Sequence, residues 1–253
     1  MTVYAASEPS KRYSHAWVTI ERVTLTNGLT NANVFSSPLA SPLKVDLADL
    51  HTQQGPAYLF LGNKEFSAGL FTKAQVRVGN SVSVETKAGE KRILHFLSGG
   101  QESVMWTLDL DKTKPIVPGT NLVLDFEPDR WSEKPDGTLK AAKDTFLVVG
   151  DGGGMMDPDR HLSQTLKGTV QDLTGAGDSK DFTLLMDSGS LEVRARTTKP
   201  VPFLSEGAQV EVKGTYDPAA SIFNADDVSS GTGLAINRFQ PPLRKPARAR
   251  HAR

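Results

Sequence analysis

The sequence predicts an all-β protein: a β-sandwich, then a small five-stranded barrel, then a disordered basic tail. Three observations predict it. Apolar and polar residues alternate at a period of two in one short segment after another. Gly, Pro, Asn and Asp separate those segments at turn spacing. No long segment carries the 3.6-residue period of an amphipathic helix. The boundaries fall at 12–150 for the sandwich, 151–161 for a glycine-rich linker, 162–230 for the barrel and 231–253 for the tail.

In chain order, residues 1–14 are polar and are expected to form a loose arm. In HAWVTIERVTL, residues 15–25, Ala16, Val18 and Ile20 share one face, while Val23 and Leu25 have the opposite parity. A bulge near Glu21-Arg22 returns them to the core. LKVDLADL, residues 43–50, reads as a strand end followed by a helical turn, and residues 57–61 as a short apolar strand. Residues 73–78 place Val76 and Val78 inward, with Gln75 and Arg77 outward. Gly79-Asn80 then reads as a two-residue hairpin turn into Val82 and Val84, because the mirror-image turns need positive φ. Residues 93–97 follow. SVMWTLDL has Val104, Trp106, Leu108 and Leu110 on one face. Pro118-Gly119 opens a strand in which Leu122, Leu124 and Phe126 point one way and Val123, Asp125 and Glu127 the other. TFLVV, residues 145–149, completes eight or nine strands, the number of an immunoglobulin- or prealbumin-like sandwich.

Past the glycine-rich stretch, read as a flexible linker, a second pattern starts. Leu166, Gly168 and Val170 alternate with polar residues, as do Phe182, Leu184 and Met186. Ser188-Gly189 makes a hairpin turn into Leu191, Val193 and Ala195, with Glu192, Arg194 and Arg196 opposite. Val210, Val212, Gly214 and Tyr216 form the fourth strand and residues 222–228 the fifth. Five strands that close on themselves expose no edge. The Gly-, Pro- and Arg-rich residues after Ser229 cannot bury enough apolar surface to fold alone.

HAWVTIERVTL, LKVDLADL, FSAGLFTKAQVRV and PGTNLVLDFEPDRW, in that order, resemble a domain family of unknown function that recurs in exported bacterial and archaeal proteins, the DUF4382 family. The resemblance covers roughly residues 12–150. It implies an extracytoplasmic β-sandwich, placed in the periplasm, at the cell surface or outside the cell, and no catalytic residues. KGTV, FTLLM, LEVRA and LSEGAQVEVKGTYDPAASIFNADDV are similar to the small OB-like barrels of a second exported family, DUF5666-like. A more distant likeness to the periplasmic haem-chaperone barrel would need a ligating His near the end of the barrel. His161, ahead of the first barrel strand, is the nearest histidine, and no haem or other cofactor is expected.

Composition bounds the function. Lys and Arg number 29, as do Asp and Glu. The charges are unevenly placed: Arg238, Arg244, Lys245, Arg248, Arg250 and Arg253 follow Gly233 with no acid among them, leaving 23 basic against 29 acidic residues before them. The absence of cysteine excludes disulfides, thiolate metal sites and a cysteine nucleophile. No apolar run approaches the ~20 residues of a membrane-spanning helix, and the first 16 residues lack the apolar centre of a signal peptide. A cytoplasmic location therefore stands beside the exported one.

The candidate sites are few. Trp17, with outward parity, and Trp131, in a polar turn, either stack on a sugar or base or cover the sandwich edge. Arg194, Arg196 and Lys213 face outward from the barrel, where OB-type folds bind oligonucleotides or oligosaccharides. The six tail cations suit a polyanion: nucleic acid, anionic lipid or acidic polysaccharide. Asp109 with Asp111, and Asp125 with Glu127 and Asp129, are alternating acids too few for a calcium site. The Asp151 glycine loop lacks the Lys-Ser/Thr that closes a phosphate loop. The five histidines, His15, His51, His95, His161 and His251, show no metal-ligand spacing, and no nucleophile elbow is present. The expectation is a non-enzymatic binding or scaffold module of the cell envelope. The alternatives are polyanion binding through barrel and tail, and a metal-dependent hydrolase at the linker acids.

Overall fold

The computed structural model describes residues 1–38, 42–53, 55–64, 71–97, 100–110, 116, 120–140, 146–149, 158–187 and 192–231. Pro118-Gly119, Asp111, the 151–157 loop, the Ser188-Gly189 turn and the basic tail lie outside the described residues. The chain is all-β with a closed five-stranded barrel, as the alternation predicts. The first part comprises β1 (Thr2–Ser7), β2 (Tyr13–Thr26), β3 (Asn31–Ser36), β4 (Leu43–Asp46), β5 (His51–Thr52), β6 (Gly55–Pro56), β7 (Leu59–Asn63), β8 (Lys73–Gly79), β9 (Ser81–Thr86) and β10 (Lys91–His95). It continues with β11 (Ser103–Asp109), β12 (Asn121–Phe126), β13 (Ser132–Glu133), β14 (Leu139–Lys140) and β15 (Phe146–Val149). The barrel comprises β16 (Gln164–Thr174), β17 (Lys180–Met186), β18 (Glu192–Thr197), β19 (Gln209–Asp217) and β20 (Ile222–Ser230). Among the described residues, helix is confined to short 3-10 turns at Leu47–Leu50, Pro128–Arg130 and Pro158–Arg160.

β2 is the spine of a seven-stranded sheet. β3 and β4 pair along one of its edges, and β8 and β9 along the other. The register slips between Ile20 and Arg22, the expected bulge, and Val23 and Leu25 are fully buried as a result. The hairpin expected at Gly79-Asn80 is absent. β8 and β9 both run antiparallel to β2, Ile20 opposite Val78 and Trp17 opposite Ser83, so they are one strand with a bend. Neither residue has positive φ. Asn80 makes the bend: its side-chain amide donates to the Leu97 carbonyl (3.0 Å) and its oxygen accepts from the Leu97 N–H (2.7 Å). At Gly79 a Cβ would meet the Thr19 Cβ at 3.0 Å, so glycine there serves close approach rather than a turn.

The expected loose arm is also corrected. Thr2–Ser7 is a wholly buried strand at the centre of the second sheet, parallel to β12 and antiparallel to β7. The run VYAA is apolar on both faces, the pattern of a strand covered on two sides. Val3 and Ala5 join Leu122, Leu124, Phe126, Leu59 and Leu61 in the core facing the seven-stranded sheet. Tyr4 and Ala6 join Tyr58, Phe60 and Val123 in a second core that continues into the barrel. The four-stranded sheet β15-β12-β1-β7 is thus the middle layer of three.

The barrel closes in the order β16-β17-β18-β20-β19, with β18 and β20 parallel and the other pairs antiparallel. Tyr216 stacks on Phe60 at 4.1 Å and 12°, and its hydroxyl accepts from the Asn63 amide (3.1 Å). Gln164 donates to the Phe60 carbonyl at 2.9 Å. The 151–161 stretch was expected to give the two domains freedom, but its described end is fastened. The Tyr58 N–H donates to the Arg160 carbonyl (2.8 Å), the Leu162 N–H to the Tyr58 carbonyl (3.0 Å), and the Arg160 guanidinium to the Pro56 carbonyl (2.7 Å). No described helix is long and apolar enough to cross a membrane.

Candidate functional site

The barrel cations do not assemble into one face. Arg196 forms a two-pronged ion pair with Asp181 directly across on β17 (2.6 and 2.9 Å), which holds the Asp181 carboxyl below the usual range. Lys213 is exposed on β19 opposite Asp227 and is separated from β18 by β20. Lys167 pairs with Glu211 at 2.6 Å. Arg194 is exposed opposite Thr183. Cations already matched to acids release few counterions to an incoming polyanion.

Trp131, read as an exposed aromatic, is 1% exposed and packs edge-on to Phe96 in the sandwich core (5.6 Å, 88°). The polar residues around it mislead because the 3-10 turn before it swings the indole inward. The acids of this region have separate tasks. Asp129 accepts from the Ser10 hydroxyl (2.6 Å) and the Lys11 N–H (2.9 Å); burial opposes its charge, yet these donors hold its carboxyl below the usual value. Glu127 pairs with Arg130. Asp125 has one oxygen buried without a hydrogen bond; burial first, then Glu127 and Glu8, push its carboxyl up to about 6. Asp109 is exposed opposite Lys73.

Trp17 lies where its parity put it, on the outer side of β2 and partly buried. It is not an open platform. The His15 ring stacks on it (5.2 Å, 11°), and the Lys44 ammonium stands 5.9 Å from its centroid. His15 is held from a second side, its Nδ1 being 2.6 Å from Asp46 Oδ2. Asp46 is itself fixed, because it caps the Leu47–Leu50 turn by accepting from Ala48 N–H (3.1 Å) and also accepts from Ala16 N–H (3.2 Å). A carboxylate only accepts, so Nδ1 carries the proton, and in the neutral ring Nε2 is the acceptor.

His15 lines a groove of about 210 Å³ at one end of the sandwich, with Glu8, Ser10, Ser14, His51 and Lys87. The chain comes together there because the turn at residues 8–12, the start of β2 and the Leu47–Leu50 turn converge. His51 has its Nδ1 buried without a hydrogen-bond partner. Asp49 has a carboxyl raised by burial and by Asp46, with His15 pulling the other way. No group of three His, Asp or Glu side chains among the described residues is placed to hold a metal ion.

The chain matches no family model, no curated protein and no solved structure in such comparisons. The groove must therefore be read from its own chemistry.

Both serine hydroxyls in it are already donated, Ser10 to Asp129 and Ser14 to the carbonyls of Glu85 and Thr86 (3.1 Å each). Metal-ligand spacing does not reveal the site, because His15 and His51 are 36 residues apart and line one groove only when the Leu47–Leu50 turn packs beside β2. The usable signal was an outward His two residues before an outward Trp, together with an Asp just ahead of a helical turn.

Proposed function

We propose that this protein is a non-enzymatic binding module of the exported, envelope-associated type, and that it takes its ligand in the His15 groove. One observation carries the reading. The His15 imidazole is fixed from two sides, by Asp46 at 2.6 Å and by the Trp17 ring, at the edge of a groove of about 210 Å³. Fixing a partly exposed ring costs side-chain entropy, and a preformed acceptor lowers the cost of binding. The placement outside the cytoplasm rests on the resemblance of residues 12–150 to DUF4382. The polyanion reading draws less support, since Arg196 is paired with Asp181, Lys167 with Glu211, and Lys213 lies opposite Asp227, which leaves Arg194, of these four cations, set opposite a neutral residue.

The test uses the full chain with histidine-selective nitrogen labelling. A library of small metabolites, sugars and peptides is titrated while the imidazole signals of His15 and His51 are followed. Ligands of this site shift both signals, and the shifts vanish in His15→Ala. A library that leaves both unmoved overturns the reading. Fractionation of native cells that finds the protein confined to the cytosol removes the exported part.

A further inference from the structure

We propose that the occupant of the His15 groove is a single uncharged pyranose residue, free or as one unit of a glycan. The inference rests on the binding reading above and adds the ligand class.

Size limits the choice first. At about 210 Å³ the groove is smaller than the ~300–1,000 Å³ of sites for drug-sized molecules. It suits one six-membered ring with its hydroxyls and is too small to take up a whole nucleotide or a peptide of several residues.

Hydrogen-bonding chemistry limits it further. Pro9, Leu47 and Pro128 form apolar wall that suits the C–H face of a sugar ring. Among the lining residues, Glu8 brings acceptors, Lys87 brings donors, and the neutral His15 ring, its Nδ1 held by Asp46, has Nε2 left as an acceptor. The His51 ring lines the groove with its Nδ1 turned into the protein, so it adds surface rather than a hydrogen bond through that atom. A sugar hydroxyl donates and accepts at once, so a ring bearing several matches a site that mixes fixed acceptors with one donor. A simple amine would leave Lys87 opposed, and a simple anion would leave Glu8 opposed.

Charge completes the argument. Glu8 and Lys87 bring one charge of each sign to the lining, and the Asp46 oxygens, behind His15, are already engaged by Ala16, Ala48 and His15. A lining with one charge of each sign does not select an ion of either sign.

The experiment titrates the full chain with four probe sets: neutral hexoses and their oligomers, uronic acids, amino sugars, and short basic or acidic peptides. The readouts are the His15 and His51 imidazole signals and affinity by calorimetry. Neutral sugars are expected to shift both signals, and their affinity to change by less than about twofold between low and high salt, because no charge pair is screened. Glu8→Gln, which keeps an acceptor, is expected to retain that affinity within about threefold, whereas His15→Ala loses about tenfold or more. Binding restricted to charged probes, or a steep salt dependence, overturns the sugar assignment and leaves the groove reading intact. No shift from any set overturns both.

Discussion

The Tyr216 ring of the barrel lies flat on the Phe60 ring of the sandwich, 4.1 Å between centroids. Tyr4 meets both edge-on, at 6.2 and 6.3 Å, and all three belong to one buried cluster with the barrel interior. The barrel core therefore does not end at the barrel. The middle sheet supplies its last layer, and the two domains are expected to unfold together. Phe60→Ala should cost about 3–5 kcal/mol, as large-to-small core changes do. Urea melts followed by tryptophan fluorescence, all three tryptophans lying ahead of the barrel, and by barrel amide signals should shift together in that variant. A double-mutant cycle with Tyr216→Ala should return about 0.5–1.5 kcal/mol of coupling for the ring pair. Two separate transitions in the parent protein would contradict a shared core.

Gly214 is fixed by a close approach. A Cβ there would lie 1.9 Å from the Asn224 carbonyl oxygen, and one at Gly168 would lie 2.2 Å from that of Leu185. Both obstacles are backbone and cannot swing aside. Gly214→Ala should destabilise by at least about 3 kcal/mol, the upper end of overpacking costs. Gly89→Ala is the control. Its Cβ meets nothing within 4 Å, so only its φ of +85° resists, and it should cost about 1 kcal/mol. Thermal melts of the two variants separate packing from backbone strain.

How far the sequence could be read depends on what covers each strand. Where one face is solvated, as in β8 and β19, period-two alternation placed every side chain correctly. β1 was missed because both its faces are covered, which erases alternation and leaves a short apolar run among polar residues. The Gly79-Asn80 bend was read as a turn because local sequence cannot tell a chain that doubles back from one that continues along a longer partner. At the groove, Trp17 was placed correctly, but its partner His15 had been set aside. What makes His15 notable is Asp46, brought beside it only by the β2–β4 pairing.

Asp125 makes stability depend on pH. Its carboxyl is pushed up to about 6, chiefly by burial and then by Glu127 and Glu8. The folded chain therefore holds a proton between about pH 4 and pH 6 that the unfolded chain has released. That contribution to stability is present at the acid end and is lost as pH rises through about 6. Asp125→Asn removes the titration. It should raise stability above pH 7 by about 1 kcal/mol, a figure discounted for partial exposure, and change little at pH 4.5. Chemical denaturation of both proteins at the two pH values checks the sign, and equal differences at both would exclude Asp125 as the source.

Asp46 links the fold to the groove, and two substitutions separate its roles. Asp46→Ala strips the cap from the Leu47–Leu50 turn and leaves the Ala16 and Ala48 N–H groups without their acceptor. It should cost about 1–2 kcal/mol. Asp46→Asn keeps an oxygen for those two donors, so most of that stability should remain. Its amide, however, presents an N–H where the carboxylate accepted one. The His15 ring then gains by moving its proton to Nε2, turning the acceptor that faces the ligand into a donor. Imidazole nitrogen shifts should report the exchanged tautomer in Asp46→Asn. Ligand affinity in the groove should fall about tenfold while the melting temperature stays near that of the parent. Affinity that instead follows the loss of stability, falling in Asp46→Ala and holding in Asp46→Asn, would mean that Asp46 only shapes the turn and that the orientation of the imidazole does not matter.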